Sequence, residues 1–257
     1  MNHAGKNILH KIAFRLEYFI LILVLLLVWI GMEKTGHLNT VVMPGLSIVW
    51  DTFCTKIRDG SLLEALGISL VRVLKGYGLS VVLGICLGTL MGLSKHVRRL
   101  SDLVIQILRP IPPIAWIPLV ILWIGIGEGS KVFLIFLGGF FVILINVIDG
   151  IRYTDDKMLE VAQVMGVSKR KFLLKVIIPS AMPSILTGLR VGINSCWTCV
   201  VAAELVASSS GIGYMISNAR NYGQMDVVIV GMLTIGMVGK AMDLLLSALE
   251  KKIIYWI

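Results

Sequence analysis

The sequence predicts an all-α integral membrane protein of six transmembrane helices, and three observations carry that prediction. The chain has 257 residues, 57% of them hydrophobic and 15% charged, with a positive mean hydropathy. A water-soluble domain of this length does not keep such a balance in solution. A span needs about 20 apolar residues, and runs that qualify lie near 17–32, 66–93, 103–125, 131–149, 183–207 and 227–249. The connecting segments alternate between basic and near-neutral, as Lys and Arg do when they collect on the cytoplasmic side.

Lys6, Lys11 and Arg15 precede the apolar run Phe19 to Gly31, an arrangement that superficially matches a signal peptide. Gly31-Met32-Glu33-Lys34 lacks the small-residue cleavage pattern, so the run reads as a retained first span after a cytoplasmic segment, 1–16. Residues 17–257 then form a single transmembrane domain. Segment 39–65 holds Pro44, Asp51, Lys56, Arg58 and Asp59 among apolar residues and reads as an amphipathic surface piece on the outer side. In the second span Gly84, Gly88 and Gly92 recur every four residues, a spacing that lets another helix approach closely.

Lys95, Arg98 and Arg99 follow that span, and 152–175 carries six basic residues. With the basic N-terminus, these segments and both chain ends are expected in the cytoplasm. The formal charge of +9 therefore reads as membrane-flanking charge, since it forms no continuous face for nucleic acid. The third span contains Pro110, Pro112, Pro113 and Pro118. Each removes a backbone donor that lipid cannot replace, so this helix must be kinked or broken. Irregular backbone at membrane depth is tolerated against protein or a water-filled path, which leaves Pro112, Pro113 and Trp116 either beside a translocation route or at a structural kink.

Four cysteines, Cys54, Cys86, Cys196 and Cys199, are too few for a disulfide framework. Cys196-Trp-Thr-Cys199 has redox-motif spacing but lies inside an apolar helix, where packing is the simpler reading. His3, His10, His37 and His96 are scattered outside or at the ends of the spans, so no metal site is expected.

The loop between spans four and five, 152–179, has helical periodicity in Met158, Val161, Ala162 and Met165. It then reads Glu160-Val-Ala162, three residues, Gly166, nine residues, Val176-Ile-Ile178-Pro179. Gly166 suits a helix end, Ser168 suits the cap of the next helix, and Lys169 with its basic neighbours suits a membrane surface. This pattern resembles the EAA loop of ABC importer permeases, with Val161 where that family usually has a second alanine. Leu108-Arg-Pro-Ile-Pro-Pro-Ile-Ala-Trp-Ile-Pro118, Gly125-Ile-Gly-Glu128, Gly188-Leu-Arg190 and Ala203-Glu-Leu through Ser210-Gly-Ile-Gly-Tyr214 together resemble the nitrate, sulfonate, taurine and bicarbonate branch.

The resemblance implies the type I ABC importer permease fold, in the bacterial inner membrane. It implies a second permease subunit as a homodimer, two cytoplasmic ATPase subunits that bind ATP and Mg, and a periplasmic or lipid-anchored substrate-binding protein. Met158, Glu160, Val161, Ala162, Met165, Gly166, Ser168, Lys169 and Pro179 would couple to the ATPase, and a small anion would cross by alternating access. The chain has no Gly-x-x-x-x-Gly-Lys-Ser/Thr phosphate loop, so it is expected not to be an enzyme.

Intramembrane charges mark candidates for the pathway: Arg109, Arg190 and Glu204, with Lys240 and Asp243 spaced i, i+3. Arg109 and Arg190 either attract a departing anion or pair with Glu204, Asp149 or backbone carbonyls. Glu204 precedes Ser208-Ser-Ser-Gly-Ile-Gly213 and reads either as an outer gate or as an acceptor for neighbouring backbone and arginine. Arg190, Asn194 and Trp197 share a helical face, with Thr198 beside them. An ion-coupled carrier or channel is the alternative class, but it has no use for an ATPase-docking loop. A membrane enzyme would need clustered catalytic groups, and the spans show none.

Overall fold

A computed structural model of the chain describes residues 20–36, 42–153 and 168–253. The described residues form helices and turns with no strand. Helix α1 covers 20–34, followed by α2 (Leu46–Arg58), α3 (Ser61–Leu93), α4 (Lys95–Leu108), a 3-10 turn (Pro113–Trp116) and α5 (Ile117–Ile124). After α6 (Glu128–Arg152) come α7 (Lys169–Phe172), a π turn (Leu173–Ile177), α8 (Ile178–Ala207), α9 (Ile212–Asn221) and α10 (Met225–Ile253). Helices α3, α6, α8 with its preceding turn, and α10 are each long and apolar enough to cross a membrane.

The third expected span departs from a single run over 103–125. It is a pair, α4 and α5, bent by 90°. Pro110, Pro112 and Pro113 supply no N–H over four positions, so the ladder of i to i−4 bonds stops at Arg109, whose N–H reaches Ile105 O at 2.9 Å. Helix α4 also begins eight residues before the apolar run, because its first turns carry Lys95, His96, Arg98 and Arg99.

The surface piece 39–65 is likewise two elements. Helix α2 ends at Arg58, Gly60 turns the chain with φ 76°, and residues from Ser61 onward already belong to α3. Asp59 Oδ1 accepts from the Ser61 hydroxyl at 2.7 Å and the Ser61 N–H at 2.9 Å, which holds its carboxyl below the ordinary range. Thr52 on α2 donates to Asp226 at the start of α10 at 2.6 Å, tying that piece to the bundle.

The core is the contact of α6 with α3 on one side and α8 on the other, and it is built from small residues. A Cβ added to Gly84 would stand 2.9 Å from Ile143, one on Gly88 2.7 Å from Val147, and one on Gly92 2.9 Å from Ile151. Between Gly76 and Gly84 the same row holds Ser80, whose hydroxyl donates to Phe136 O at 2.8 Å. The other side of α6 offers Gly138 and Gly139 to Cys199 and Cys196, so these thiols fill the helix contact. Ile135, Ile143 and Val147 are completely buried between the two faces. Close backbone approach replaces the hydrophobic drive that lipid does not supply between helices.

Candidate translocation cavity and buried charge cluster

The bend between α4 and α5 opens a cavity of about 400 Å³ against α6 and α8. Its wall includes Arg109, Pro112, Pro113 and Trp116 from the broken helix, Phe141 and Asn146 from α6, and Val191 and Ser195 from α8. An adjoining cavity of about 220 Å³ shares Pro112 and Pro113 and is completed by Ile117, Leu134, Thr198, Cys199, Ala202 and Ala203. Arg109, Pro112, Pro113, Trp116 and Thr198 thus come together. A larger cleft of about 960 Å³ between α1, α2 and α10 touches none of them and is walled by Leu26, Ile30, Leu233 and Met237 among others.

The face carrying Arg190, Asn194 and Trp197 turns to α10. Arg190 Nε lies 2.7 Å from Asp243 Oδ1 and its Nη1 3.4 Å from Glu250 Oε2. Asn194 donates to Asp243 at 3.4 Å, and the Trp197 indole donates to Ile235 O at 3.0 Å. Lys240 completes the group at 3.7 Å from Asp243. Arg190 is bound across to α10, and neither Glu204 nor Asp149 is its partner.

Glu204 is 1% exposed and belongs to a second cluster. Its carboxylate accepts from Arg72 Nη1 at 2.6 Å, from the Ser69 hydroxyl at 2.8 Å and from the Gly213 N–H at 2.9 Å. Arg72, 2% exposed, also holds Glu128 through Nε at 2.7 Å and donates to Ser210 O at 2.8 Å. Lys131 reaches Glu128 at 2.8 Å, and the Ile212 N–H donates to the Ser69 hydroxyl at 2.9 Å. Two cations and two carboxylates therefore join α3, α6, α8 and the turn into α9. Gly211, at φ 101°, passes against the Glu204 carboxylate where no Cβ would fit. A buried pair is tolerated only when its remaining donors and acceptors are satisfied in this way.

Arg72 is absent from the candidates drawn from sequence, and so is Lys75, which is exposed on α3. The signal was a charged residue inside an apolar run, the same signal that marks Arg109 and Arg190. Of the loop residues, Met158, Glu160, Val161, Ala162, Met165 and Gly166 lie outside the described residues. Ser168 precedes α7, its carbonyl accepting from Phe172 N–H at 2.9 Å, Lys169 begins α7, and Pro179 sits in the first turn of α8 behind the π turn.

The family model for the binding-protein-dependent transport system inner membrane component matches residues 80–255. The chain belongs to this family. It is 44% identical over 223 residues, 85% of this chain and 84% of the other, to a protein of Methanocaldococcus jannaschii named as a candidate ABC transporter permease. A candidate aliphatic sulfonates transport permease of Bacillus subtilis is 39% identical over 91% of this chain and 84% of its own. The taurine transport system permease protein of Escherichia coli is 35% identical over 91% of this chain and 86% of its own.

Among solved structures, an amino acid ABC transporter matches with TM-score 0.66 at 16% identity, covering 78% of this chain and 98% of that one. The fold is that of type I ABC importer permeases. The chain is accordingly the membrane permease component of an ABC importer, a class that works with ATPase and substrate-binding partners. It is not itself an enzyme of that system.

Proposed function

We propose that this permease carries a small anion, of the sulfonate, taurine or nitrate kind, inward across the bacterial cytoplasmic membrane. It does so as one of two identical subunits above two ATPases that bind ATP and Mg, and below a binding protein. The relatives named for sulfonates and taurine support the substrate class, as does one named for nitrate. The cavity at the α4–α5 bend carries the pathway reading. It places an arginine and irregular backbone together at the depth of the α6 midpoint, where such backbone persists only beside protein or water.

Arg109, Pro112, Pro113, Trp116 and Thr198 are the wall of the route. Arg190, Asn194 and Trp197 hold α8 to α10, and Glu204 holds the outer turn. Force enters at Glu160 to Pro179, whose last residues lead through the π turn into α8. With no phosphate loop in the sequence, ATP hydrolysis falls to the separate subunits. The test is to reconstitute the chain with its ATPase and binding-protein partners and introduce Glu160→Ala and Gly166→Pro. Each is expected to abolish transport-coupled ATP hydrolysis, and unchanged coupling in both would sink the reading.

A further inference from the structure

We infer that α4 does not cross the membrane but lies along its cytoplasmic surface, an amphipathic helix seated in a leaflet of anionic phospholipid.

Its direction follows from α5. Ile117 and Val120 pack with Leu134 of α6 and Ala203 of α8, and a Cβ on Gly129, in the first turn of α6, would stand 3.2 Å from Ile124. Helix α5 therefore runs beside a helix long and apolar enough to cross the membrane, and α4 stands at 90° to α5. A helix perpendicular to a span lies near the membrane plane. Its level follows from its start: α3 ends at Leu93, Ser94 caps α4, and Lys95, Arg98 and Arg99 come next, a cluster that stays on the cytoplasmic side. The crossing itself is left to residues 110–124, whose irregular part runs against α6 and α8.

The helix has three sides. Ile105 turns to the bundle and packs on the cluster of Met91, Leu144 and Ile148. Leu100, Leu103, Val104 and Ile107, at i, i+3, i+4 and i+7, form a second side and are between 53% and 82% exposed. Lys95, Arg99, Asp102 and Gln106, at i, i+4, i+7 and i+11, form the third. Among the described residues of α4 none is buried. A spanning helix would put that third side into hydrocarbon, whereas an in-plane helix sinks its apolar side and leaves the charged one among headgroups.

Charge balance makes those headgroups anionic. Lys95, Arg98 and Arg99 stand against Asp102 alone on α4 and make no ion pair among the described residues. Each cation near an anionic leaflet strengthens binding by about fivefold. Helix α4 ends at Arg109, in the wall of the cavity, so the leaflet that seats the helix also sets where that wall begins.

The test uses the full-length chain in lipid nanodiscs, with Cys54, Cys86, Cys196 and Cys199 replaced by alanine and one fluorophore on Leu100→Cys, Ile107→Cys or Gln106→Cys. Bromine placed at successive depths on the lipid chains quenches the dye. The Leu100 and Ile107 positions are expected to be quenched most by bromine at one shared depth, about 5–10 Å below the headgroups. A spanning α4 would separate them by about 10 Å, and that result would overturn the inference. So would the absence of quenching at both, which would mean that a second copy or another protein surface covers the apolar side.

At the Gln106 position, brominated phosphatidylglycerol is expected to quench several-fold more than brominated phosphatidylcholine at the same mole fraction. Lys95→Gln with Arg99→Gln is expected to bring the two lipids to parity. Equal quenching before those substitutions, or a preference that survives them, would show that anionic lipid is not the partner of this helix. Elution as a single species in each variant establishes that it folds.

Discussion

Arg72 on α3 and Glu204 on α8 stand 2.6 Å apart with almost no access to solvent, 132 positions apart in the chain. Removing one partner strands the other charge in a low-dielectric interior, which costs about 3–5 kcal/mol. Arg72→Met and Glu204→Gln are each expected to lower the thermal unfolding midpoint sharply in detergent. The double variant should lose clearly less than the sum of the two, and strict additivity would show that the pair is not coupled.

Gly88 and Gly78 make a paired test of the small-residue row. A Cβ at Gly88 meets Val147 at 2.7 Å, whereas one at Gly78 meets nothing within 4 Å. Gly88→Ala is expected to destabilise by about 1–3 kcal/mol through overpacking. Gly78→Ala should instead stabilise α3 by about 0.5–1 kcal/mol through its gain in helix propensity. Unfolding midpoints of the two variants measured side by side decide the matter, and the same sign for both would contradict the packing described.

Gly211 combines a left-handed φ of 101° with the Glu204 carboxylate where its Cβ would lie. Gly211→Ala is expected to cost more than the roughly 1–2 kcal/mol of the backbone conformation alone. Protease accessibility of the α8–α9 turn should rise with it. A turn as resistant as wild type would mean that Glu204 adapts without loss.

The π turn Leu173–Ile177 holds one residue more than an α turn would. The π turn absorbs that extra residue, whereas one alanine inserted within regular α8 after Ser180 is expected to turn the rest of α8 by about 100° against the segment before it. Complexes with the ATPase should still assemble while coupled ATP hydrolysis falls at least tenfold. Retention of coupling would show that the register between α7 and α8 carries no force.

Much of this was legible in the sequence because membrane physics leaves coarse marks. The row of Gly84, Gly88 and Gly92 announced a close contact and the structure supplies its partners on α6. Four prolines between Pro110 and Pro118 announced a break, and the 90° bend follows. Glu204 and the glycines after it stood out as chemistry inside an apolar stretch, with the two readings of Glu204 left open until its donors were located. Arg72 was passed over, though its cost inside lipid is as great as that of Arg109. A run that qualified comfortably as a span concealed it.

Other features left no local mark. A π turn has no residue signature comparable to proline or glycine, so Leu173–Ile177 looks from sequence like any helix entry. The pairing of Arg190 with Asp243 spans 53 positions, and periodicity within one helix cannot say which other helix its polar face will meet. The cavity, too, arises from two helix segments meeting α6 and α8 and exists only once they pack.

Arg72, Lys131, Glu128 and Glu204 carry two positive and two negative charges within one body. A lone charge moved through the whole membrane field exchanges about 2.3 kcal/mol per 100 mV, but a neutral group displaced as a unit exchanges nothing. Displacement of this cluster as a unit therefore exchanges no work with the membrane voltage. Arg109, Lys75 on α3 and Asp149 on α6 have no ion pair among the described residues and so remain able to feel the field directly.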